Sequence, residues 1–394
     1  MKEIVVRDYN EKKDKEAVEE LERQCEFGSS GKPSLLTDLM GDSVCRVRNS
    51  PACIMLVAEY KEGDTTEIVG VVRGCIKNVS RGKRAAGDDF PIYVKAAYIL
   101  GLRVSPCYRR LGLGTKLVSA LEAWFKKNGV EYSYMTTDAN QASINLFTLK
   151  CDYVKFRTPT VLVQPVHAHK KHINSVITVI QLSPQLSELI YRRVFSESEF
   201  FPKDIDVILC NKLSLGTYIA FPKKSLAMWD SQSGNLPKKF AMLSVWNTKQ
   251  VFKLQVKGVS VLTHACCVGS RMLDEWMPWL RIPSVPDLFS PFGVYSLYGL
   301  HMEGKGASRL MKNLCAFIHN IARNDVGCCA IVAEVGRRDP VREAVPHWKR
   351  FSWDEDLWYM KKLTTEKHNG EEEDDDENEN ENGGDLDWSR CNFC

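Results

Sequence analysis

No run of eighteen or more apolar residues occurs in these 394 residues, so no segment has the length and composition of a membrane-crossing helix. The opening "MKEIVVRDYNEKKDKE" lacks an apolar signal core, and a soluble intracellular protein is expected. Cysteine is not scarce, at 14, but residues such as Cys53, Cys75, Cys210 and Cys315 lie scattered in apolar segments. In a chain of this size they read as buried reduced thiols rather than a disulfide framework. No glycine-rich loop closes on Gly-Lys-Ser/Thr, which excludes a P-loop. No G-x-G-x-x-G follows a first strand, which excludes the dinucleotide fingerprint.

An apolar fraction of 44% supports two hydrophobic cores at this length. The net charge of +3 hides an asymmetry: Glu366 to Cys394 carries twelve acidic and two basic residues, a net of −10, leaving about +13 on residues 1–365. The run "EEEDDDENENEN" cannot bury enough apolar surface to fold. It reads as a disordered acidic tail over 364–394, serving as a solubility brush, a histone-like contact surface or a self-screening arm. The basic body suits an anionic cofactor or a nucleic acid. It lacks the basic motifs interleaved with aromatics that would favour nucleic acid, so no direct nucleic-acid binding and no membrane partner are expected.

Along the chain, "EIVVRDY" reads as a strand and Asp14 to Glu26 as an amphipathic helix with Val18, Leu21 and Cys25 on one face. A short helix is expected near Leu35–Met40. A hairpin should follow, Cys53–Tyr60 and Glu67–Ile76, and then "RGKRAAGDDFP" as a flexible connection. "VKAAYILGLRV" is apolar on both faces and so belongs in the middle of a sheet. After it, Leu117, Leu121, Trp124 and Phe125 recur at helical spacing up to Gly129. "VEYSYMTT" is a strand, "NQASINLFTLK" a helix, and "YVKFRTPTVLVQP" a closing strand. The order β-α-α-β-β-β-α-β-α-β over residues 1–165 is a mixed α/β domain.

Between the fourth strand and its helix stands "CYRRLGLGTKL". A helix start presents unpaired N–H groups and the positive end of a dipole, which together attract anions. Gly112 and Gly114 would let a phosphate approach the N–H groups of Leu111, Gly112, Leu113, Gly114 and Thr115, with Arg109 and Arg110 adding charge at the rim. Glycines that merely permit tight helix packing are the competing explanation of the same spacing.

"RRLGLG" resembles the R-x-x-G-x-G motif of the Gcn5-related N-acetyltransferases, a family with a mixed, mostly antiparallel sheet and flanking helices. "NQASINLF" resembles that family's second motif, with Asn140, Ser143, Leu146 and Phe147 in place. More of the chain, including "VRDYNEKKDKEAVEELERQCEFG" and "KFRTPTVLVQPVHAHKKH", is similar to the plant hookless-type N-acetyltransferases. That resemblance implies acetyl-coenzyme A as co-substrate and an amine acceptor, a protein such as histone among them. It also implies a nuclear location, alongside a cytoplasmic one, and a part in ethylene- and auxin-linked differential growth. It further implies that Arg109 and the N–H groups of 111–115 anchor the diphosphate. The strand edge at Leu102, Arg103 and Val104 would pair with pantetheine and offer an oxyanion donor, and Asn140 would lie near the thiol end.

The acid and base are open. Phe147 stands where relatives carry a proton-donating Tyr, and has no proton to give. Tyr153, Tyr108 or water would substitute. The fourth strand has no carboxylate; Asp138 and Glu26 are the base candidates, each with a structural alternative as helix cap or solvated residue. A catalytically silent protein acting through partners is the alternative to an enzyme.

Residues 185–363 are expected to form a second α/β domain after a connection at 166–184. "KKFAMLSVWNTKQVFKLQV" reads as a hairpin, and residues 293–336 as strand, Gly-x-Gly, helix and strand, repeating the first domain's order and implying a degenerate duplicate. His301 replaces the motif arginine and Glu303 would repel a diphosphate. His167, His169 and His172 in "HAHKKH" lack a Cys or carboxylate pair beside them and read as a basic connection rather than a metal site. Trp276 and Trp279 read as packed between domains. The terminal "CNFC" is a weak match to a prenylation box.

Overall fold

The computed structural model describes residues 2–25, 34–84, 91–137, 140–229, 236–282, 284–349, 351–352 and 356–363. In the first half β1 (Lys2–Asp8), α1 (Glu11–Gln24), β2 (Ser34–Asp38), β3 (Ala52–Glu62), β4 (Thr65–Arg84) and β5 (Pro91–Val104) precede α2 (Leu113–Lys127), β6 (Tyr132–Thr137), α3 (Gln141–Lys150), β7 (Val154–Arg157) and β8 (Thr160–Pro165). Next come β9 (Ile177–Leu182), α4 (Pro184–Val194), β10 (Glu199–Pro202), α5 (Ile205–Leu209), β11 (Ser214–Pro222), β12 (Phe240–Asn247) and β13 (Lys253–Lys257). The chain continues with α6 (Val261–Trp276), β14 (Gly293–Glu303), α7 (Ala307–Asn324), β15 (Cys328–Val335), α8 (Val341–Ala344) and β16 (Leu357–Lys362).

Two sheets carry the two cores. One runs β1-β3-β4-β5-β6-β16-β7, the other β8-β15-β14-β12-β11-β9. Each is antiparallel except for one parallel pair, β5 with β6 and β14 with β15. Each parallel pair is bridged by a helix, α2 or α7, that enters on a Gly-x-Gly. From β9 to β8 the second sheet repeats the order of the first from β1 to β16; the first adds β7 at its edge and β10 against β4.

The sheets exchange a strand. β8 follows β7 after only two residues, yet it pairs with β15 over Thr160–Pro165. β16, from the far end of the described chain, slots between β6 and β7. The expected boundary at residue 165 therefore does not coincide with a sheet. A proline at 159 breaks what reads as one continuous strand, and long-range pairing leaves no local sequence signal.

Two further expectations fail for the same reason. Leu35–Met40 is mainly strand, because Ser34–Asp38 pairs with Lys253–Lys257 of the second half. That pairing also dissolves the expected hairpin: β12 pairs with β11 and β14, while β13 leaves for β2. Nor are Trp276 and Trp279 packed between domains. They are 77% and 72% exposed, because α6 is held instead by buried Asp274, which bonds His169 and Ser284. The acidic tail, 85–90 and "CNFC" lie outside the described residues, and no helix among those described is long and apolar enough to cross a membrane.

β5 is apolar on both faces because both are covered. Ala97 and Ile99 join the α2-side core with Leu117, Leu121 and Phe125. Val94 and Ala96 join an aromatic cluster on the α1 side with Tyr134, Phe200 and Trp358. Trp358, 1% exposed, stacks on Tyr134 at 5.4 Å and 11°. Trp358 of β16 thus ties the end of the described chain into the first half's sheet. Trp358→Ala should lower stability by about 3–5 kcal/mol, read as a fall in the urea midpoint. An unchanged midpoint would show that the exchanged strand is dispensable.

Candidate active site

β5 and β6 pair only from Ala96–Tyr132 to Ile99–Met135. β5 stays paired with β4 as far as Val104, and β6 with β16 as far as Thr137. Beyond Ile99 the two strands therefore part, each held by its outer neighbour, and a wedge opens between them. At its apex the Tyr98 hydroxyl and Thr136 Oγ1 lie 2.8 Å apart. Leu102, Arg103 and Val104 form one wall of this wedge, whose main-chain edge faces the gap.

That wall is bent by a bulge. Leu100 pairs with Arg73 and Arg103 with Val71, so β5 spends one residue more than β4 at Gly101, where φ is +61°. A Cβ on Gly101 would lie 2.6 Å from Arg73 Nη1. Arg73, 2% exposed, fills that space and bonds the Ser43 carbonyl at 2.6 Å and Glu22 at 2.7 Å. Glu22 also reaches Arg103 Nε at 3.3 Å. Burial pulls the Arg103 guanidinium down and Glu22 opposes that shift. A buried charge must be paired, so this cluster fixes the bulge against α1. Sequence reasoning missed Gly101, Arg73 and Glu22; the signals were a lone glycine inside a strand and a lone arginine in "VGVVRGCI".

Past β5 the chain turns through a short helical turn at Pro106–Tyr108 and reaches α2. Arg109 is exposed, with Nε 3.4 Å from the Val104 carbonyl. Arg110 and Gly112 both take positive φ, +65° and +76°. Leu111 is 55% exposed, while Leu113, 1% exposed, anchors the first turn of α2 in the core. The N-cap Gly112 offers no side-chain cap, and no acid stands in the first turn. The N–H groups of Leu113, Gly114 and Thr115 thus have neither intrahelical partners nor a capping carboxylate. The two glycines differ: a Cβ on Gly112 would meet nothing within 4 Å, whereas one on Gly114 would lie 2.9 Å from Leu146 Cδ2 of α3. Open space at Gly112 fits an anion. Gly114 answers to helix packing.

The remaining candidates divide. Asn140 is exposed and caps α3, its Oδ1 accepting from Ala142 N at 3.0 Å and Ser143 N at 3.3 Å. Phe147 is 2% exposed and meets Tyr153 edge-on at 5.2 Å. Tyr153 does not reach the wedge. It is 2% exposed, its hydroxyl lies 2.6 Å from Ser133 Oγ, and burial drives its phenol far up. The short loop after α3 turns it into the core beneath α2, so it is not carried forward as the acid. Tyr108 donates to Glu67 at 2.8 Å, which with burial pushes its phenol up to about 12. Asp138 and Glu26 lie outside the described residues.

The second half offers a counterpart. β14 bulges at Gly299 (φ +60°), with Tyr191 of α4 in the space where Arg73 lies in the first half. At the start of α7 the N-cap is Gly306 (φ +87°), where a Cβ would meet nothing within 4 Å, as at Gly112; the crowded glycine is Gly304, two residues earlier, where a Cβ would lie 2.5 Å from the Lys238 carbonyl. His301 is held neutral by burial, and Glu303 flanks the turn. In the connection, His167 reaches the Ser284 carbonyl, His169 reaches Asp274, and the His167 N–H donates to His319. No group of three metal-ligating side chains occurs among the described residues.

Comparison with known proteins gives the family of a chain with this geometry. The profile of the acetyltransferase (GNAT) family matches residues 15–153. The chain is 48% identical over 382 residues to "Probable N-acetyltransferase HLS1" of Arabidopsis thaliana, covering 93% of this chain and 94% of that protein. It is 38% identical over 405 residues to "Acetyl transferase GW6a" of Oryza sativa subsp. japonica, covering 94% and 93%. The fold is also that of Saccharomyces cerevisiae N-myristoyltransferase solved with myristoyl-CoA, at a TM-score of 0.52 and 11% identity over 91% of this chain and 78% of that one. The chain belongs to the acetyltransferase (GNAT) family. It is an N-acetyltransferase by that membership.

The two glycines can be separated experimentally. Gly114→Ala must displace Leu146 and should cost about 1–3 kcal/mol, most of it recovered in the Gly114→Ala/Leu146→Ala pair. Gly112→Ala should cost about 1–2 kcal/mol through its left-handed backbone alone, with no recovery from Leu146→Ala. Equal behaviour of both in chemical denaturation would contradict the assignment.

Proposed function

We propose that this protein transfers acetyl from acetyl-coenzyme A to an amine, and that the first half's wedge is the site. The observation that carries this reading is the coincidence of the parting strands at Ile99–Met135 with an uncapped, acid-free helix start at Gly112. The N–H groups of 111–115 and Arg109 would hold the diphosphate. The unpaired edge of β5 would align the pantetheine arm. A main-chain N–H at the bulged stretch Gly101–Val104 would receive the negative charge that develops on the thioester oxygen. The co-substrate supplies an activated acyl carbon and a thiolate leaving group. Because Phe147 has no proton to give, the thiolate would be protonated from water. His301 in the place of the motif arginine and the Glu303 carboxylate just ahead of α7 support a second half that does not hold the cofactor tightly and instead shapes access of the acceptor.

The relatives' names support a protein that works in a plant cell. A protein amine, histone included, is the proposed acceptor, and the nucleus the proposed location, in control of differential growth. A catalytically silent role is the second reading, and buried Phe147 is what favours it.

Titration calorimetry tests the site. Acetyl-coenzyme A should bind at micromolar concentration, and Arg109→Glu or Gly112→Asp should weaken binding at least tenfold. Loss of acetylated species with the same variants, read by mass spectrometry, should follow. No heat from the parent protein would remove the transferase reading, and binding without transfer would favour the silent one.

A further inference from the structure

The bulge in the wedge wall carries a charge that its shape does not need. Gly101 of β5 and Gly299 of β14 take the same left-handed backbone, at φ +61° and +60°. In each half a side chain from another element fills the volume where a Cβ would stand. In the second half that side chain is neutral: Tyr191, whose hydroxyl lies 2.7 Å from Ser244 Oγ. In the first half it is Arg73, a cation only 2% exposed. A phenol suffices to fill a bulge of this kind, so the guanidinium adds something that packing does not ask for. Burying it is costly. Nε donates to the Ser43 carbonyl at 2.6 Å and Nη1 to Glu22 at 2.7 Å, but Nη2 is buried with no hydrogen-bond partner.

Arg73 Nη1 also donates to the Gly101 carbonyl, at 3.3 Å. The neighbouring main chain shows where the other end of that peptide points. Ser105 N–H donates to the Val69 carbonyl of β4 at 2.9 Å. The Arg103 carbonyl lies against Gly70 of β4, where a Cβ would be 3.4 Å from it. Arg103 and Ser105 thus turn their main-chain groups to β4, and Leu102, by alternation, turns its own to the wedge. The N–H of a trans peptide points opposite to its carbonyl. One peptide unit, Gly101–Leu102, therefore has its carbonyl on Arg73 and its N–H in the gap that β6 leaves. Leu102 stands just beyond Ile99, where β5 and β6 part.

We propose that Arg73 is a positioning residue for transfer: through the Gly101 carbonyl it fixes and polarises the peptide whose Leu102 N–H receives the charge that develops on the thioester oxygen. This rests on the function proposed above. A donor bonded to a carbonyl strengthens the N–H at the far end of the same peptide, and a charged donor does so more than a neutral one. The neutral amine nitrogen attacks the thioester carbon and forms the C–N bond, and the carbonyl electron pair moves onto oxygen, where the Leu102 N–H meets it. The pair returns as the C–S bond breaks, and the nitrogen's proton reaches the departing thiolate through water. Glu22 holds Arg73 in place for this, and the second half, with Tyr191 at its bulge, lacks the device.

The test uses the full chain and acetyl-coenzyme A labelled with carbon-13 at the acetyl carbonyl, followed by infrared difference spectroscopy, with poly-L-lysine as acceptor for rates. In the parent protein the thioester carbonyl band should lie below its frequency in water, because a donor meets its oxygen. Arg73→Met, which keeps the volume and removes the charge, should return the band toward the frequency in water. The same variant should lower kcat about 10²-fold, the scale for losing one oxyanion donor, with acetyl-coenzyme A binding within about twofold by calorimetry. Arg73→Lys keeps a cation and should fall between, and it takes over the test if the Met variant does not fold. If no lysine is acetylated by the parent, the band alone decides. A parent band that is not lowered, or a lowered band that neither variant moves, overturns the role of Arg73 and leaves the proposed function standing. So does a loss of rate matched by an equal loss of binding with the band in place, which is a structural defect only. No binding by the parent removes the underlying function itself.

Discussion

The early end of one parallel strand pair organises this molecule. β5 and β6 share only the stretch from Ala96–Tyr132 to Ile99–Met135; a longer ladder would close the wedge and leave no main-chain edge for a ligand to meet. Three features hold the strands apart. β16 keeps β6 straight on its outer side, β4 keeps β5, and the bulge at Gly101 turns β5 away from its partner. The bulge in turn depends on Arg73, whose guanidinium fills the missing side-chain volume at Gly101 and is paired with Glu22 of α1. A buried ion pair adds little net stability, but it fixes one geometry because breaking it is costly.

The exchange of β8 and β16 makes the two halves interdependent. Neither sheet is complete without a strand from the other half, and β2 with β13 adds a further bridge. The halves repeat one strand order, one bulge and one helix entry, but have diverged where a ligand would enter. The N-cap glycines Gly112 and Gly306 both open on space, but just ahead of α7 stand His301 and Glu303, and Gly304 is crowded by the Lys238 carbonyl. A duplicated fold whose two helix entries differ in the side chains just ahead of them suits a division of labour between the halves.

Much of the first half was legible in sequence. The helical spacing of Leu117, Leu121 and Phe125, the two-faced apolarity of β5 and the Gly-x-Gly turn are local signals, and each has a local cause. What stayed hidden depends on distant partners. Ser34–Asp38 is a strand only because Lys253–Lys257 lies against it. "TVLVQP" reads as the end of β7's strand until Pro159 redirects it to the other sheet. Tyr153 looks like a substitute acid by sequence position, but the turn after α3 buries it against Ser133. The Gly-x-Gly helix entry is legible as a pattern, yet the glycines' separate reasons emerge only when Leu146 is seen beside Gly114. Trp276 and Trp279 follow the opposite lesson, since composition suggests burial and the surface of α6 exposes them.

The most direct measurement is a crystal structure with acetyl-coenzyme A at saturation. The account predicts the diphosphate within about 2.7–3.2 Å of main-chain nitrogens in 111–115 and the pantetheine arm against β5 beyond Ile99. Cofactor bound at the start of α7, or a wedge filled by the protein's own side chains with no cofactor in it, would contradict it.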